Sequence, residues 1–247
     1  MQPFVLFDLD NALVNLDEAF QVWTAEFVDE HRLGPEAVDW LIALDQAGYP
    51  HREAFFGMVR KHFALPESVE ELWGRYRKRM PYLVHCRPGV MDGLTLLRAA
   101  GWKVAIVTNG TADNQLGKIQ QTGLAEAVDA YALSGLEGIR KPDVGLFEIA
   151  AKRCGMILAD GGWMVGDHPV ADIGGGRAAG LCMVWIDRGT WPDREHEVDH
   201  VVTDVLRFSL RSSDQTGGRK TRTADLANAD ANNRSGRTWT TMDRETP

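Results

Sequence analysis

The amino-acid sequence predicts an α/β protein: a Rossmann-like parallel sheet with helices on both faces, plus an inserted small all-helical cap domain. Beyond Arg87-Pro88-Gly89, short apolar runs alternate with stretches of helical period, which is typical of parallel strands joined by helices. Residues 15–84 interrupt this alternation with an almost wholly helical pattern. The length of 247 residues suits one such core with one insertion.

Hydrophobic spacing defines the first strand and the insertion. Residues 4–7 form an apolar run stopped by acidic residues, typical of a buried parallel strand whose carboxyl end opens on a site. In the insertion, apolar residues recur three and four positions apart, which indicates helices. Pro50, Pro66 and Pro81 divide this stretch into separate helices.

After the insertion, the alternation continues to the end of the core. We predict helices at 90–100, 113–121, 144–154 and 171–179, and strands at 104–107, 127–133, 163–165, 182–186 and near 200–202, with a last short helix near 206–210. The core would then combine 1–14 with 85–210, and the cap would span 15–84. Residues 211–247 are polar and contain few apolar side chains, so we predict a disordered tail.

Composition and charge narrow the class of partner. The chain is 44% hydrophobic and 25% charged, as in ordinary soluble globular proteins. A net charge of −8 disfavours nucleic acid and anionic membranes and favours a small molecule. Three scattered cysteines suggest neither disulfides nor a zinc site. The sequence shows no signal peptide and no membrane-length apolar run, so we expect a cytoplasmic protein, either monomer or dimer.

Asp8 and Asp10 follow the first predicted strand, two positions apart. In an extended chain both carboxylates point to the same side. A divalent cation such as Mg²⁺ relieves their mutual repulsion. Asp-x-Asp is also common by chance in turns, so this pair does not establish a site by itself.

Two further segments place polar groups after predicted strands. Thr108 and Asn109 end the run 104–107, and their hydroxyl and amide can donate hydrogen bonds to a phosphoryl oxygen. The alternative for them is an ordinary turn. Lys141, before Pro142, can neutralise a phosphate oxygen and a carboxylate together. A solvated loop lysine is the alternative there.

Asp167 follows the predicted strand 163–165, and Asp172 comes after a tight loop near the start of a helix. This spacing suits a metal site in which one carboxylate binds directly and the other acts through water. Asp172 alone could instead cap the helix. That alternative leaves Asp167 unexplained.

Together these segments resemble the haloacid dehalogenase superfamily of phosphatases, whose four motifs occur here in order as Asp8-Leu9-Asp10, Thr108, Lys141 and Gly166-Asp167 to Asp172. The resemblance covers roughly residues 3–205. The insertion is similar to the helical C1-type cap of the phosphoglycolate phosphatase-like subfamily. The resemblance implies Mg²⁺-dependent hydrolysis of a small organic phosphate ester.

The resemblance also implies a role for each motif residue. Asp8 would attack phosphorus and form an aspartyl-phosphate, and Asp10 would serve as general acid and base. Thr108 and Lys141 would hold the phosphoryl group. The Mg²⁺ ligands would be Asp8, Asp167, Asp172 and the backbone at Leu9 or Asp10. Because Asp10 is present, a carbon–halogen substrate is not expected.

The sequence departs from the family pattern after the Asp-x-Asp pair. The family usually continues with Gly-Thr, whereas this chain has Asn11-Ala12. Asn11 tolerates a left-handed turn and would preserve the backbone path. Ala12 lacks the hydroxyl but keeps its N–H. We therefore expect altered efficiency or a specialised substrate rather than an inactive protein.

The cap is the least readable part of the sequence. Arg52, after the turn 48–51, could reach the site and pair with an acidic substrate. A solvated turn is the alternative. Five aromatic residues could line an organic leaving group, although a cap core is the commoner use of such spacing: Phe20, Trp23, Trp40, Phe55 and Phe56. His168 is assigned to packing or exposure rather than to the metal.

Two other functions stay open at this point. The Asn11-Ala12 departure and the long polar tail are compatible with a non-catalytic binding or regulatory protein, because a fold does not fix a function. The same motifs are also compatible with a sugar-phosphate mutase, which transfers the phosphoryl group instead of hydrolysing it.

Overall fold

A six-stranded parallel sheet forms the centre of the computed structural model, which describes residues 2–45, 51–189, 198–205 and 207–208. The strand order is β3-β2-β1-β4-β5-β6. The strands are β1 Phe4–Phe7, β2 Lys103–Thr108, β3 Ala130–Leu133, β4 Trp163–Gly166, β5 Cys182–Ile186 and β6 His200–Val202. All the pairings are parallel. The predicted fold class is confirmed.

The register of the sheet brings the motif-bearing strand ends together. Phe7 pairs with Ile106 of β2 on one side and with Val165 of β4 on the other. Every residue of β1 is buried, as expected for a central strand covered on both faces. Asp8 and Asp167 therefore emerge within two residues of one level of the sheet, at the carboxyl edge where open α/β sheets place ligands.

Helices cover both faces of this sheet. They are α5 Val90–Ala99, α6 Ala112–Gln121, α7 Leu124–Ala127, α8 Ser134–Glu137, α9 Val144–Arg153 and α10 Gly175–Ala178. The α9 helix starts at Asp143, whose carboxylate accepts the N–H of Gly145 at 2.8 Å and satisfies one otherwise free helix donor. A Cβ on Gly176 would lie 2.8 Å from Met164 Cβ, so α10 can approach β4 only because residue 176 is glycine.

Four helices lie between β1 and α5: α1 Leu16–Glu30, α2 Glu36–Leu44, α3 Arg52–His62 and α4 Val69–Arg79. Ser68 begins α4 with a reciprocal cap, in which its hydroxyl accepts the Glu71 N–H at 3.2 Å and its own N–H donates to the Glu71 carboxylate at 2.7 Å. The described part of 15–84 contains no strand. This agrees with the predicted helical character of the insertion, while its domain limits stay a prediction.

An aromatic cluster joins α1, α3 and α4. The Trp23 ring lies 4.9 Å from that of Phe27, 5.0 Å from that of Tyr76 and 5.7 Å from that of Phe56. All four residues are at most 5% exposed. The predicted use of these aromatics as cap core is confirmed for Phe20, Trp23, Phe55 and Phe56, which are buried, whereas Trp40 is only partly buried and stacks on His62 at 4.0 Å.

Two predicted elements differ from those observed. The strand predicted at 127–133 begins only at Ala130, because Leu124–Ala127 form the short helix α7. The helix predicted at 171–179 starts earlier as a wide π-helical turn, Pro169–Gly174, and continues as α10. This turn carries Asp172, and such turns are frequent at functional sites.

Within the described part of the chain, every helix is too short or too polar to cross a lipid bilayer. Most of the helix predicted near 206–210 and all of the tail at 211–247 lie outside the described residues.

The aromatic cluster yields a stability prediction. Phe56→Ala removes a fully buried ring and is expected to lower the unfolding free energy by about 3–5 kcal/mol, measured by urea denaturation. Met58→Ala is the matched control, because Met58 lies on the same helix and is 39% exposed, so its effect should stay below about 0.5 kcal/mol. A loss below about 1 kcal/mol for Phe56→Ala would show that neighbouring rings close the cavity.

Candidate active site

A lysine bridge lies at the carboxyl edge of the sheet. Asp8 extends β1 by donating its N–H to the carbonyl of Val165 at 2.9 Å. The Lys141 ammonium then donates to Asp8 Oδ1 at 2.6 Å and to Asp172 Oδ1 at 2.7 Å. The side chains of Lys141 and Asp172 are 2% and 0% exposed. The bridge therefore joins three separate chain segments in a buried place.

The π-helical turn fixes the position of Asp172. The second carboxylate oxygen of Asp172 accepts the backbone N–H of His168 at 2.9 Å. Gly166 is required beside it, because a Cβ at residue 166 would collide with the Asp172 carboxylate. The strand-ending glycine and the turn together hold one oxygen of Asp172 toward Lys141.

Three carboxylates meet at this edge. One oxygen from each of Asp8, Asp167 and Asp172 lies within 4.8 Å of the others. Hard oxygen ligands at such spacing suit a divalent cation. Among the described residues, this cluster can hold a metal ion, and it contains three of the predicted ligands.

Burial sets the protonation of this cluster. Burial, followed by the nearby charge of Asp172, raises the pKa of Asp8 to about 7 despite the opposing Lys141. Burial also raises the pKa of Asp167 well above its ordinary value. For Lys141, burial acts to lower the pKa, but the carboxylates of Asp172 and Asp8 outweigh it and leave the pKa raised. Lys141 is therefore a permanent cation among acids that need positive charge to ionise.

Asn109 supports the lysine bridge from the end of β2. Its amide nitrogen donates to the Lys141 carbonyl at 3.0 Å, and its amide oxygen accepts the Lys141 N–H at 2.8 Å. Asn109 was predicted to bind phosphate. The structure shows the side-chain amide holding the backbone of Lys141 instead, so its contact with phosphate stays an untested prediction.

The Asp10 carboxylate contacts two side chains of α6. Lys118 Nζ donates to its two oxygens at 2.7 and 3.0 Å. Gln115 Nε2 reaches Asp10 Oδ2 at 3.0 Å and Thr108 Oγ1 at 2.7 Å. The predicted metal contact of Asp10 through its backbone is not tested by this arrangement.

Gln115 and Lys118 were not predicted from the sequence. They are three positions apart, so they lie on one face of the helix that directly follows the predicted strand end at Thr108. In the sequence, this three-residue spacing is the pattern that could have indicated their contact with the site.

The turn after Asp10 has the left-handed backbone conformation that was expected at Asn11. Asn11 has φ of +58°, in the left-handed region, which confirms that it preserves a glycine-like path. Its amide donates to Asp17 Oδ1 at 2.7 Å and accepts the Asp17 N–H at 3.1 Å. Ala12 is fully buried in the hydrophobic core.

A family model described as haloacid dehalogenase-like hydrolase matches residues 4–180. This chain belongs to that family. The lysine bridge and the three carboxylates all lie within the matched residues.

Curated relatives and solved structures extend the comparison. The chain is 36% identical to a phosphoserine phosphatase of Thermus thermophilus over 166 residues, which is 65% of each chain. The match therefore spans slightly less than two thirds of that relative. It is 27% identical to a ribulose-1,5-bisphosphate 5-phosphatase of Halopiger xanaduensis over 226 residues, covering 83% of this chain and 92% of the relative. The solved structure of HAD-hydrolase YfnB from Bacillus subtilis has a TM-score of 0.72 at 20% identity, covering 85% of this chain and 98% of that one, and shows the shared fold.

The hydrolase has a cavity of about 510 Å³ between these motif residues and the inserted helices. The motif side includes Asp8, Asp10, Lys141, Asp167 and Asp172. The helical side contributes Leu16, His51, Arg52, Trp73 and Tyr76. The sheet side of the cavity therefore carries both carboxylates and cations, among them Lys118, Arg140 and Lys141, and the helical side is aromatic and carries Arg52.

Arg52 lines the cavity as predicted from its place in the cap, but it is not solvated. Its guanidinium donates to the two Asp45 oxygens at 2.9 and 3.0 Å. It also lies 5.0 Å from the ring centres of Phe20 and Tyr76, within reach for cation–π attraction. The side chain is 14% exposed, so Arg52 is a fixed part of the wall.

His168 lies on the cavity wall next to Asp167. Its Nδ1 accepts the N–H groups of Val170 and Ala171 at 3.2 and 3.1 Å, so it caps the π-helical turn. Burial lowers the pKa of His168. This agrees with its predicted use in packing.

The lysine bridge yields a stability prediction. Lys141→Met, in metal-free buffer, is expected to lower the unfolding free energy by about 3–5 kcal/mol, because Asp8 and Asp172 lose their buried cation. Lys103→Met is the control: Lys103 pairs with Asp129 at 3.1 Å while 35% exposed, and its loss should be below about 1 kcal/mol. Equal losses in the two variants would show that the buried acids are already neutral beside Lys141.

Proposed function

We propose that this hydrolase cleaves small organic phosphate monoesters through a covalent intermediate on Asp8. The observation that carries the proposal is the buried Lys141, which reaches both Asp8 at 2.6 Å and Asp172 at 2.7 Å. It places a fixed cation beside a carboxylate at the rim of a cavity, which is what attack on an anionic phosphoryl group requires.

In the first step, an Asp8 oxygen forms a bond to phosphorus while the bond from phosphorus to the leaving-group oxygen breaks. The proton needed by that oxygen comes from Asp10 acting as general acid. The products are the free alcohol, aspartyl-phosphate at residue 8 and ionised Asp10. This route divides one difficult hydrolysis into two easier displacements.

In the second step, a water oxygen forms a bond to phosphorus and the bond from phosphorus to the Asp8 oxygen breaks. Asp10 takes the proton lost by the water. Inorganic phosphate leaves, Asp8 is restored as a carboxylate, and Asp10 is again protonated. Asp10 therefore gives and takes one proton in each turnover.

Thr108 and Lys141 are proposed to hold the phosphoryl group throughout. Both line the cavity, and the Lys141 ammonium is placed to balance negative charge on phosphoryl oxygens. Asn109 contributes by fixing the backbone of Lys141 through two hydrogen bonds. In this scheme Asn109 acts mainly through the lysine.

Mg²⁺ is the proposed cofactor. Asp8, Asp167 and Asp172 offer carboxylate oxygens within 4.8 Å of one another, and Mg²⁺ characteristically combines a few carboxylates with waters and phosphate oxygens. When bound, it supplies positive charge that favours ionised Asp8 and offsets the charge of the phosphate. The raised pKa values of Asp8 and Asp167 fit a cluster that needs such a cation.

The names of the relatives support a small phosphate ester as substrate. Besides the two phosphatases above, they include a phosphoglycolate phosphatase of Mesorhizobium japonicum, 28% identical over 228 residues. The cavity of about 510 Å³ is of ordinary size for a small molecule. Arg52 on the cap side favours a leaving group with an acidic substituent. A cytoplasmic location is part of this proposal.

The nucleophile is tested with Asp8→Asn. Phosphate release from a panel of phosphomonoesters should fall by roughly a thousandfold or more, because the amide cannot attack phosphorus. Rapid acid quenching with ³²P-labelled substrate should label the wild-type protein and leave the variant unlabelled.

Asp92→Asn is the matched control, since Asp92 is exposed on α5. It should leave both phosphate release and labelling unchanged. Residual turnover near wild type in folded Asp8→Asn would refute the covalent route.

The metal is tested with Asp167→Asn. Chelation should abolish phosphate release by the wild-type hydrolase and added Mg²⁺ should restore it. The variant should need at least about tenfold more Mg²⁺ for half-maximal rate. Mg²⁺ should also raise the melting temperature of the wild-type protein more than that of the variant. The exposed Asp160→Asn serves as control, and full activity in chelator would overturn the assignment.

A further inference from the structure

A buried lysine beside Asp10 has no role in the reaction described above. Lys118 is 2% exposed and lies on α6. Its ammonium contacts Asp10 Oδ1 at 2.7 Å and Oδ2 at 3.0 Å. Burying the lysine costs free energy that offsets its attraction to Asp10, which is 21% exposed, so the pair contributes little to stability. The pair therefore needs a reason other than folding.

Gln115 joins Asp10 to the end of β2. Its amide nitrogen lies 3.0 Å from Asp10 Oδ2, 2.7 Å from Thr108 Oγ1 and 3.3 Å from the Asn109 carbonyl. Two N–H groups are shared among three acceptors, and the residue is 1% exposed. The Asp10 carboxylate is thus held by two donors of one helix.

Glycines at two positions allow α6 to come this close. A Cβ on Gly110 would lie 2.7 Å from Gln115 Cγ and Cδ, so only glycine leaves room for that side chain. A Cβ on Gly117 would lie 2.8 Å from Pro81 Cγ. The approach of the helix that delivers Gln115 and Lys118 is therefore built into the packing on two sides.

We propose that Lys118 and Gln115 are positioning residues that hold the Asp10 carboxylate in the place from which it transfers protons. This inference rests on the proposed role of Asp10. That carboxylate must meet the leaving-group oxygen in one step and a water in the next, and small misplacements of a reacting group are costly. Two donors on a packed helix remove the freedom that the Asp10 side chain would otherwise have.

A direct role of Lys118 in phosphate binding is the main competing explanation, because Lys118 also lines the cavity. The two roles differ in leaving-group dependence. An alkyl phosphate such as glycerol 3-phosphate needs a proton on its leaving oxygen, whereas p-nitrophenyl phosphate releases a stable anion. Loss of a positioned acid affects the first ester much more than the second, and loss of a phosphate contact affects both equally.

The experiment measures kcat/KM for both esters with the full chain and Mg²⁺. Lys118→Met should lower the value for glycerol 3-phosphate by about 10- to 100-fold and that for p-nitrophenyl phosphate by less than about threefold. Gln115→Met should show the same selectivity with a smaller loss. Lys152→Met, on the exposed face of α9, should change neither value.

A double variant tests whether Lys118 acts through Asp10. If it does, adding Lys118→Met to Asp10→Asn should produce no further loss on either ester, because the group being positioned is gone. Losses that multiply in the double variant, or equal losses on both esters in Lys118→Met, would overturn the inference.

Circular dichroism and melting temperature identify variants that fail to fold. If Lys118→Met is one of them, Gln115→Met carries the same test with the same overturning result. Failure of the underlying function looks different: Asp10→Asn would then show no preference for the aryl ester. An alkyl-selective loss in Asp10→Asn without one in Lys118→Met and Gln115→Met would reject only the positioning role.

Discussion

The contact on which the site depends is that of the Lys141 ammonium with Asp8 and Asp172. All three side chains are at most 10% exposed, so water competes little with these contacts. Each member comes from a different segment: the end of β1, the loop before α9 and the π-helical turn after β4. The sheet register, the Asn109 support of Lys141 and the space left by Gly166 all serve to bring these segments to one point.

Much of the fold was predictable from the sequence because its signals are local. Buried parallel strands are continuous apolar runs, and β1, β4 and β5 were found nearly at their observed limits. The motif residues follow such runs directly, so the sheet edge gathers Asp8, Thr108 and Asp167 without further information. The short helix α7 was missed because its four residues carry too little periodicity to separate it from the strand that follows.

The parts of the site that escaped sequence analysis depend on contacts distant in sequence. Gln115 and Lys118 reach Asp10 across more than 100 positions, and polar residues on a helix are usually solvated. Asn109 was given a direct role in phosphate binding because its amide suits that chemistry, yet the same amide suits the backbone of Lys141 32 positions away. The residue types indicated which interactions these side chains can make. Only the packing of the folded chain determines which residues they contact.

The buried pairing of Arg52 with Asp45 has a consequence for how this cavity evolves. Among the described residues, Arg52 lines the cavity, whereas its ion-pair partner Asp45 does not. The positive potential at the wall therefore depends on the charge of Arg52 and on the opposite charge of Asp45, although only Arg52 lines the cavity. A change at Asp45 alone would remove the carboxylate that both offsets the charge of Arg52 and holds its guanidinium in the wall. A substitution at Asp45, which does not line the cavity, can therefore change the substrate preference of this hydrolase.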